Sequence, residues 1–452
     1  MTIQTDSPPV LQYESPAERC PTRLAGGDIL VPAFAMTVAV WITAYICRIQ
    51  FVNAPGHVTV GIMLAVLIVG GFFTAAYSPR GRRAVAALLA GALSGLLDIL
   101  IVGSLVHDYV ATHDAALVPS AALWFAGSIL TSAVAAGAGG LLAAVITRRR
   151  SSAVSWAALF AFVLAAATLP LITFGGLVTA FHAGLAVPDW PQSYGYNMFL
   201  FPLSMMQKDE GRFYEHAHRL MGALVGLTSL TLAIYLTIAD RRWWIKTLPW
   251  IIGVCVAIQA VLGGLRVDDR SVTLAIVHGI FAQVVFAAMA VQVAINTRGF
   301  RTRRAEFYAG AAMDRGVTLL LTGLLVLQLM LGAMLRHEDK MLFEHITMAA
   351  LVLFAVLTAG ARAWGLHAER RPIYRAGIGI LIVVLVQITL GVLALVFRSG
   401  PDNTPTTAGA LITTAHQANG ALLLALSAVL TVWTWRLLKP ESVTAPAALP
   451  TP

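Results

Sequence analysis

Long apolar runs alternate with short polar stretches along the whole chain. A helix that crosses the hydrocarbon core of a bilayer needs about 20 apolar residues. The runs lack the two-residue alternation of β-barrel strands, so we predict an all-α, polytopic membrane protein with about 12 transmembrane helices. The predicted helices lie near residues 29–52, 58–77, 84–107, 118–147, 153–181, 214–239, 247–265, 271–295, 316–335, 341–362, 376–398 and 408–436.

Composition supports a membrane protein, because 58% of the residues are hydrophobic and only 12% are charged. Most Lys and Arg residues fall on one side of the membrane if the N-terminus is cytoplasmic, as the positive-inside rule requires. We therefore predict a bacterial cytoplasmic membrane protein whose tails, 1–28 and 441–452, both lie in the cytoplasm. The net charge of +9 then reflects topology, and we expect no nucleic-acid partner.

The three cysteines, Cys20, Cys47 and Cys255, are far apart in the sequence. This spacing predicts neither a disulfide framework nor a thiolate metal site.

A run of three arginines at 148–150 separates four predicted helices from a block of eight. We expect an extra four-helix module of unknown role at 29–150, followed by two four-helix halves at 151–300 and 301–440. The extra module has one interior acid, Asp98, and no deeply placed histidine. A packing, scaffolding or partner-docking role is therefore expected for it.

The eight-helix block contains an internal repeat, Gln-x-x-Leu-Gly, at 259–263, 328–332 and 387–391. Each copy is followed by a short loop and then by a helix with a histidine near its start. The repeat indicates two duplicated halves, near 153–297 and 313–438. Helix packing alone could also use such glycines and glutamines.

Four of the 11 histidines, His218, His278, His345 and His416, lie at similar depth in the helices of this block. Ionisable groups are costly in a bilayer and mark functional sites. Two imidazoles on facing helices of a four-helix bundle are the arrangement that ligates a haem iron from both sides. We therefore predict one bis-histidine haem site in each half, on the outer side of the membrane.

Two other interpretations of these histidines stay open. They could be hydrogen-bonded polar residues of the helix interior. Zinc is the competing ligand, but it needs a third or fourth His, Cys or carboxylate in the cluster, and only 215–218 (Glu-His-Ala-His) offers one.

Charged residues accompany the histidines. Glu215 precedes His218 by three residues, which places both on one helix face. It is either a favourable first-turn acid or a catalytic carboxylate that moves protons or stabilises positive charge. Arg219 is a candidate partner for a haem propionate, and Arg266 and Arg336 are weaker candidates.

Several motifs resemble the haem A synthase family over about 153–438. They are Gly-Gly-Leu-Val-Thr at 175–179, Ala-Gly-Leu-Ala-Val-Pro-Asp-Trp-Pro at 183–191, Glu-x-x-His-Arg at 215–219 and His-Gln at 416–417. The resemblance implies a membrane oxidoreductase that converts a methyl group of haem O to the formyl group of haem A for terminal oxidase assembly.

The same resemblance implies roles for the individual residues. His218 and His278 would bracket the substrate haem O, with Glu215 assisting the chemistry. His345 and His416 would hold a permanent haem b. The implied partners are haem O, haem A, the lipid bilayer, an unidentified electron donor, haem O synthase and oxidase assembly factors.

The chain departs from the family pattern in three ways. Many bacterial members have a cysteine pair where Val187 and Ser193 stand here, which rules out a thiol redox step at those positions. Other members have Arg where Thr179 stands, and the first four helices lie outside the pattern. A di-haem cytochrome b that only transfers electrons is the alternative function, and a transporter is a third.

Overall fold

The computed structural model describes residues 26–106, 118–147, 154–397 and 406–440. Residues 1–25 of the predicted N-terminal tail, the whole C-terminal tail, Cys20 and the arginine run at 148–150 lie outside these residues. Within them, 12 helices are long and apolar enough to span a membrane, which confirms the all-α polytopic prediction.

The helices agree with the hydropathy runs to within a few residues at most ends. Those of membrane-spanning length are α1 Gly27–Arg48, α2 Gly56–Tyr77, α3 Arg83–Val102, α4 Ala121–Ile146, α5 Trp156–Ala180, α7 Glu210–Ala239, α8 Trp243–Asp268, α9 Val272–Asn296, α11 Ala311–Glu338, α12 Leu342–Leu366, α13 Arg371–Val396 and α14 Thr407–Leu437. The shorter elements are α6 Leu203–Met206, α10 Arg298–Thr302 and a parallel pair of strands, β1 Glu306–Phe307 and β2 Leu438–Lys439.

Several helices extend beyond the apolar runs into polar sequence. Helix α7 begins at Glu210 rather than near 214, because the side chain of Asp209 accepts a hydrogen bond from the backbone N–H of Arg212. Helix α1 ends earlier than predicted, at Arg48, and Asn53 beyond it has a left-handed φ of 37°. Polar caps, which hydropathy does not register, therefore set several of the observed ends.

The eight-helix block forms two closed four-helix bundles. In the first bundle, α5, α7, α8 and α9 pack in a ring, and in the second, α11, α12, α13 and α14 do the same. Helix α14 also packs against α5 and α9, and α11 packs against α9. These three contacts join the bundles side by side.

The first four helices form a separate cluster in which α4 packs against α2 and α3. The backbones approach closely there, because a Cβ atom at Gly71 or Gly139 would overlap backbone atoms of the neighbouring helix. This cluster contacts the first bundle through α1, which packs on α5 and α7.

We call the side of the membrane region on which α5 ends and α7 begins the histidine side. Helices α1 and α3 also end there, since the helices alternate in direction. The long loop at 181–209, which joins α5 to α7, lies on the same side. Its first part carries the Asp-Trp-Pro sequence, at 189–191.

Candidate functional site

The four histidines form two facing pairs, one in each bundle. The ring centroids of His218 and His278 are 6.3 Å apart, and the ring planes meet at 76°. The centroids of His345 and His416 are 6.4 Å apart, with the planes at 73°. The two bundles thus present nearly the same imidazole arrangement.

This spacing fits a metal held between two imidazoles. With metal–nitrogen bonds of about 2.0 Å and each centroid about 1.1 Å behind its nitrogen, the two centroids would lie roughly 6.2 Å apart. Both observed distances are within 0.2 Å of that value. The residues present therefore fit a bis-imidazole haem iron in each bundle.

A glycine of the neighbouring helix lies against each histidine ring. A Cβ atom would lie 2.9 Å from Cε1 of His218 if built on Gly175, and 3.3 Å from Cε1 of His278 if built on Gly263. The corresponding distance is 3.0 Å for Gly332 against His345 and for Gly391 against His416. Each ring therefore packs against bare backbone.

The residue four positions before each of these glycines also contacts the ring-bearing helix. Leu171 accepts a hydrogen bond through its carbonyl oxygen from Nδ1 of His218, at 3.0 Å. In the other rings, Nδ1 of His278 and of His416 is buried without a hydrogen-bond partner among the described residues, and Nδ1 of His345 lies 3.1 Å from the side-chain Nε2 of Gln328. In His218, where Nδ1 lies against a carbonyl oxygen, Nε2 is the nitrogen left to face a metal.

The glutamine side chains of the repeat add a second set of contacts. Gln259 and Gln328 donate from Nε2 to the backbone carbonyls of His278 and His345, at 3.1 and 3.0 Å. In the second bundle, the glutamine side chains also approach the histidine rings. Nε2 of Gln328 lies 3.3 Å from Nε2 of His345, and Nε2 of Gln387 lies 3.3 Å from Nε2 of His416. These two amides would have to turn aside when the imidazoles ligate a metal.

The Glu215 side chain links α7 to the 181–209 loop. Its Oε2 accepts a hydrogen bond from the backbone N–H of Val187, at 2.8 Å, and its Oε1 is 2.8 Å from Nη2 of Arg219. The two side chains are only 5% and 9% exposed. In this arrangement the carboxylate holds the loop in place, whatever part it takes in chemistry.

Arg219 and Arg266 also bind the main chain of this loop. Arg219 donates to the carbonyl oxygens of Val187, Asp189 and Gln192, at 3.0, 2.6 and 2.9 Å. Arg266 donates to the carbonyl of Gly184, at 3.0 Å. Their proposed role as propionate partners stays a prediction, since these bonds use the terminal nitrogens.

Arg336 joins the two bundles. From α11 it donates to the carbonyl of Gly176 on α5, at 2.7 Å, and to that of Thr413 on α14, at 3.0 Å. Its Nε is buried and has no partner in the described part of the chain. That free donor is compatible with the predicted propionate contact.

The loop is further stabilised by its own polar groups. The carboxylate of Asp189 accepts hydrogen bonds from the backbone N–H groups of Tyr194 and Gly195, at 2.6 and 2.7 Å. The Oγ of Ser193 lies 3.2 Å from Nδ1 of the buried His216. Val187 and Ser193 are therefore both held by hydrogen bonds.

Zinc receives no support from the described residues. In the ranges that the structure describes, no group of three or more His, Cys, Asp or Glu side chains is placed to hold a metal ion.

The sequence did not predict which residue faces each imidazole. Helix packing alone could also explain the glycines of the repeat, and Gly175 does not fit the repeat because Leu171 stands in place of the glutamine. The signal was present in the four-residue spacing between the glutamine and the glycine.

Fold and site together define a polytopic, all-α membrane protein whose eight-helix block holds two facing histidine pairs. Residues 158–343 match the model of the COX15-CtaA family, described as cytochrome oxidase assembly protein. This part of the chain is similar to that family, and the match confirms the resemblance to haem A synthases. No curated protein and no solved structure gave a significant match to the chain.

Proposed function

We propose that the protein is a haem A synthase, which oxidises a methyl substituent of haem O to the formyl group of haem A for terminal oxidase assembly. The observation that carries this proposal is the imidazole pair of His218 and His278, spaced for an iron, inside the segment that matches the family. His345, the first residue of the second pair, lies two residues after the end of that segment.

In this proposal the two bundles have different tasks. His218 and His278 hold the substrate haem O by its iron and so fix the position of its methyl groups. His345 and His416 hold haem b, which supplies single-electron transfer when bound. The electron donor is a further partner, and haem O synthase and oxidase assembly factors are the expected neighbours in the pathway.

Conversion of a methyl to a formyl group replaces two hydrogens by one oxygen, which is a four-electron oxidation whose oxygen atom and oxidant come from outside the chain. The hydrogens that leave the carbon are released in part as protons, so a group that accepts protons is needed near the substrate. Glu215 lies one turn before His218 and is the carboxylate that we assign to this task. The ion pair with Arg219 keeps it oriented, and the loop that it binds covers this end of the bundle and excludes water.

The test is the pigment content of the purified protein and of five variants. We expect a low-spin, six-coordinate spectrum, with haem b plus haem O, a hydroxylated intermediate or haem A on extraction. His345→Ala and His416→Ala should lose haem b, whereas His218→Ala and His278→Ala should keep haem b and stop conversion. His57→Ala, on the exposed start of α2, is the control.

Colourless protein from haem-replete cells would overturn the whole proposal. A specific observation favours a second candidate, a di-haem cytochrome b that only transfers electrons, because the two pairs have nearly identical geometry. That candidate predicts two tightly held haem b groups and no haem O or haem A in the extract.

A further inference from the structure

The 181–209 loop is held from two sides. On one side are the hydrogen bonds from Glu215, Arg219 and Arg266 of the first bundle. On the other side is the end of α3, which belongs to the four-helix module that precedes the family match. The module therefore contacts the part of the chain that covers the first histidine pair.

The contact with α3 is made by backbone. A Cβ atom at Gly103, just after α3, would overlap the carbonyl oxygen of Phe199 in the loop, and it would lie 3.2 Å from the Leu200 side chain. The backbone at Gly103 is ordinary right-handed helix, with φ of −50°. Its glycine is thus required by the close approach of the loop and not by the backbone conformation.

A second contact joins α1 of the module to α5 and α7 of the first bundle. The ring of Tyr45, near the end of α1, is buried and packs 5.9 Å from the ring of Phe174 on α5 and 6.1 Å from that of Phe213 on α7. Phe213 is two residues before Glu215. The module thus braces the turn of α7 that carries the loop-binding carboxylate.

Buried polar groups also join α1 to α3, at positions that precede Tyr45 in α1 and Gly103 at the end of α3. Trp41 donates from Nε1 to Oδ1 of Asp98, at 3.1 Å, and Thr37 donates to Ser94, at 3.1 Å. Asp98 is therefore a link between helices of the module. These hydrogen bonds fix α1, which carries Tyr45, against α3, which ends just before Gly103.

We propose that the four-helix module of α1–α4 is a positioning element, which holds the 181–209 loop over the first histidine pair. The chemical consequence rests on the proposed function, since a loosened loop would misplace Val187 against Glu215 and admit water to the substrate.

The experiment compares Gly103→Ala and Gly103→Val with Gly127→Ala in the full chain. Gly127 lies in α4 of the same module, and a Cβ atom there meets nothing within 4 Å. Amide hydrogen exchange of the segment 183–197 is the readout. We expect roughly tenfold faster exchange in Gly103→Val, a smaller rise in Gly103→Ala and none in Gly127→Ala.

A second pair of variants decides the matter if the Gly103 variants do not insert. Leu200→Ala removes the loop side chain at the contact without adding atoms, whereas Leu185→Ala removes an exposed leucine from the same loop. Faster exchange in Leu200→Ala alone supports the proposal. Unchanged exchange at 183–197 in the folded contact variants would overturn it.

Haem analysis separates this proposal from the proposed function. In Gly103→Val, haem b at His345 and His416 should stay at the wild-type level while conversion of haem O falls. A looser loop with unchanged conversion would remove the positioning role. Wild-type protein that never converts haem O would remove the proposed function and leave the exchange result intact.

Discussion

Each histidine ring faces a glycine, and this pairing sets what the site tolerates at the scale of a residue. A Cβ atom built on the glycine would lie about 3 Å from Cε1 of the ring, which is closer than ordinary van der Waals contact. A side chain at that glycine must therefore push the imidazole away from its partner. The glycines are as much part of the site as the ligands.

The clearest test uses two glycines of α11. A Cβ at Gly332 would lie 3.0 Å from Cε1 of His345, whereas one at Gly323 meets nothing within 4 Å. Overpacking costs about 1–3 kcal/mol, which corresponds to roughly 5–150-fold in affinity. Gly332→Ala should lower haem b content measurably and Gly332→Val more so. Equal haem content in Gly332→Val and Gly323→Val would refute the prediction.

Glu215→Gln distinguishes structural from chemical roles of the carboxylate. The expectation of a first-turn acid is wrong, because α7 begins at Glu210 and Glu215 lies beyond the first turn, where the helix dipole contributes little. Loss of that contribution alone would leave turnover nearly intact. Loss of acid–base help costs about 10²–10⁴-fold in rate. We expect the variant to retain haem b and to accumulate haem O or a hydroxylated intermediate. The ratio of haem A to its precursors, at matched protein levels, is the measurement.

A matched variant at Arg219 controls for the loop. The Glu215→Gln side chain keeps one oxygen but places an NH2 donor where the other oxygen accepts from Val187 or Arg219, so some loosening is expected. Arg219→Lys keeps the charge and loses the forked hydrogen bonds to the loop. An unchanged haem ratio in Glu215→Gln would remove Glu215 from the chemistry.

The histidines themselves could be predicted from the sequence, because imidazoles at equal depth in apolar helices are rare and repeat with the duplication. Their glycine and carbonyl neighbours could not. A glycine in a membrane helix indicates only that something approaches it, and the identity of the approaching group depends on the rotation of both helices. Leu171 acts through its carbonyl oxygen, which every residue has.

At the scale of the helix, capping side chains set where the histidine-bearing helices begin. Asp209, Ser271 and Thr406 accept hydrogen bonds from backbone N–H groups three residues later, at the starts of α7, α9 and α14. Helix α12, which carries His345, has no such side-chain cap. Hydropathy placed all 12 helices but not their ends, because caps are polar and lie outside the apolar runs.

Removal of the α7 cap should therefore loosen the turn that leads to Glu215. Asp209→Ala is expected to cost about 1 kcal/mol, whereas Asp209→Asn retains an acceptor and should cost much less. Thermal unfolding of the purified protein in detergent measures the difference. Indistinguishable midpoints for the two variants would show that the hydrogen bond at 2.8 Å does not stabilise the helix.

For the whole molecule, Arg336 makes the two bundles dependent on each other. It binds carbonyl oxygens of α5 and α14, one from each bundle, and such hydrogen bonds to a charged group are worth about 1.5–3 kcal/mol each. We expect Arg336→Met to lower occupancy of both histidine pairs. His416→Ala should instead affect only the second pair.

Separate extraction of haem b and haem O from Arg336→Met protein checks this prediction. Loss of haem b alone, with the first site intact, would favour a propionate contact over a link between bundles. Arg315→Met, which removes an arginine from the opposite end of α11, is the control for loss of a cation.

The docking of the α1–α4 module on the first bundle could not be predicted from the sequence. Surfaces that face lipid and surfaces that face another helix are both apolar, so hydropathy does not distinguish them. Tyr45 and Gly103 look like ordinary residues of apolar helices. Only the fold shows that both lie against the segment that carries the Asp-Trp-Pro and Glu-x-x-His-Arg motifs.

The position of α14 has a consequence for the order in which the protein is made. All four helices of the first bundle leave the ribosome before α11, and domains generally form in the order of synthesis. The second bundle cannot close until α14 has inserted between α11, α13, α5 and α9. During biogenesis, the first histidine pair can therefore assemble before the second, which must await the insertion of α14.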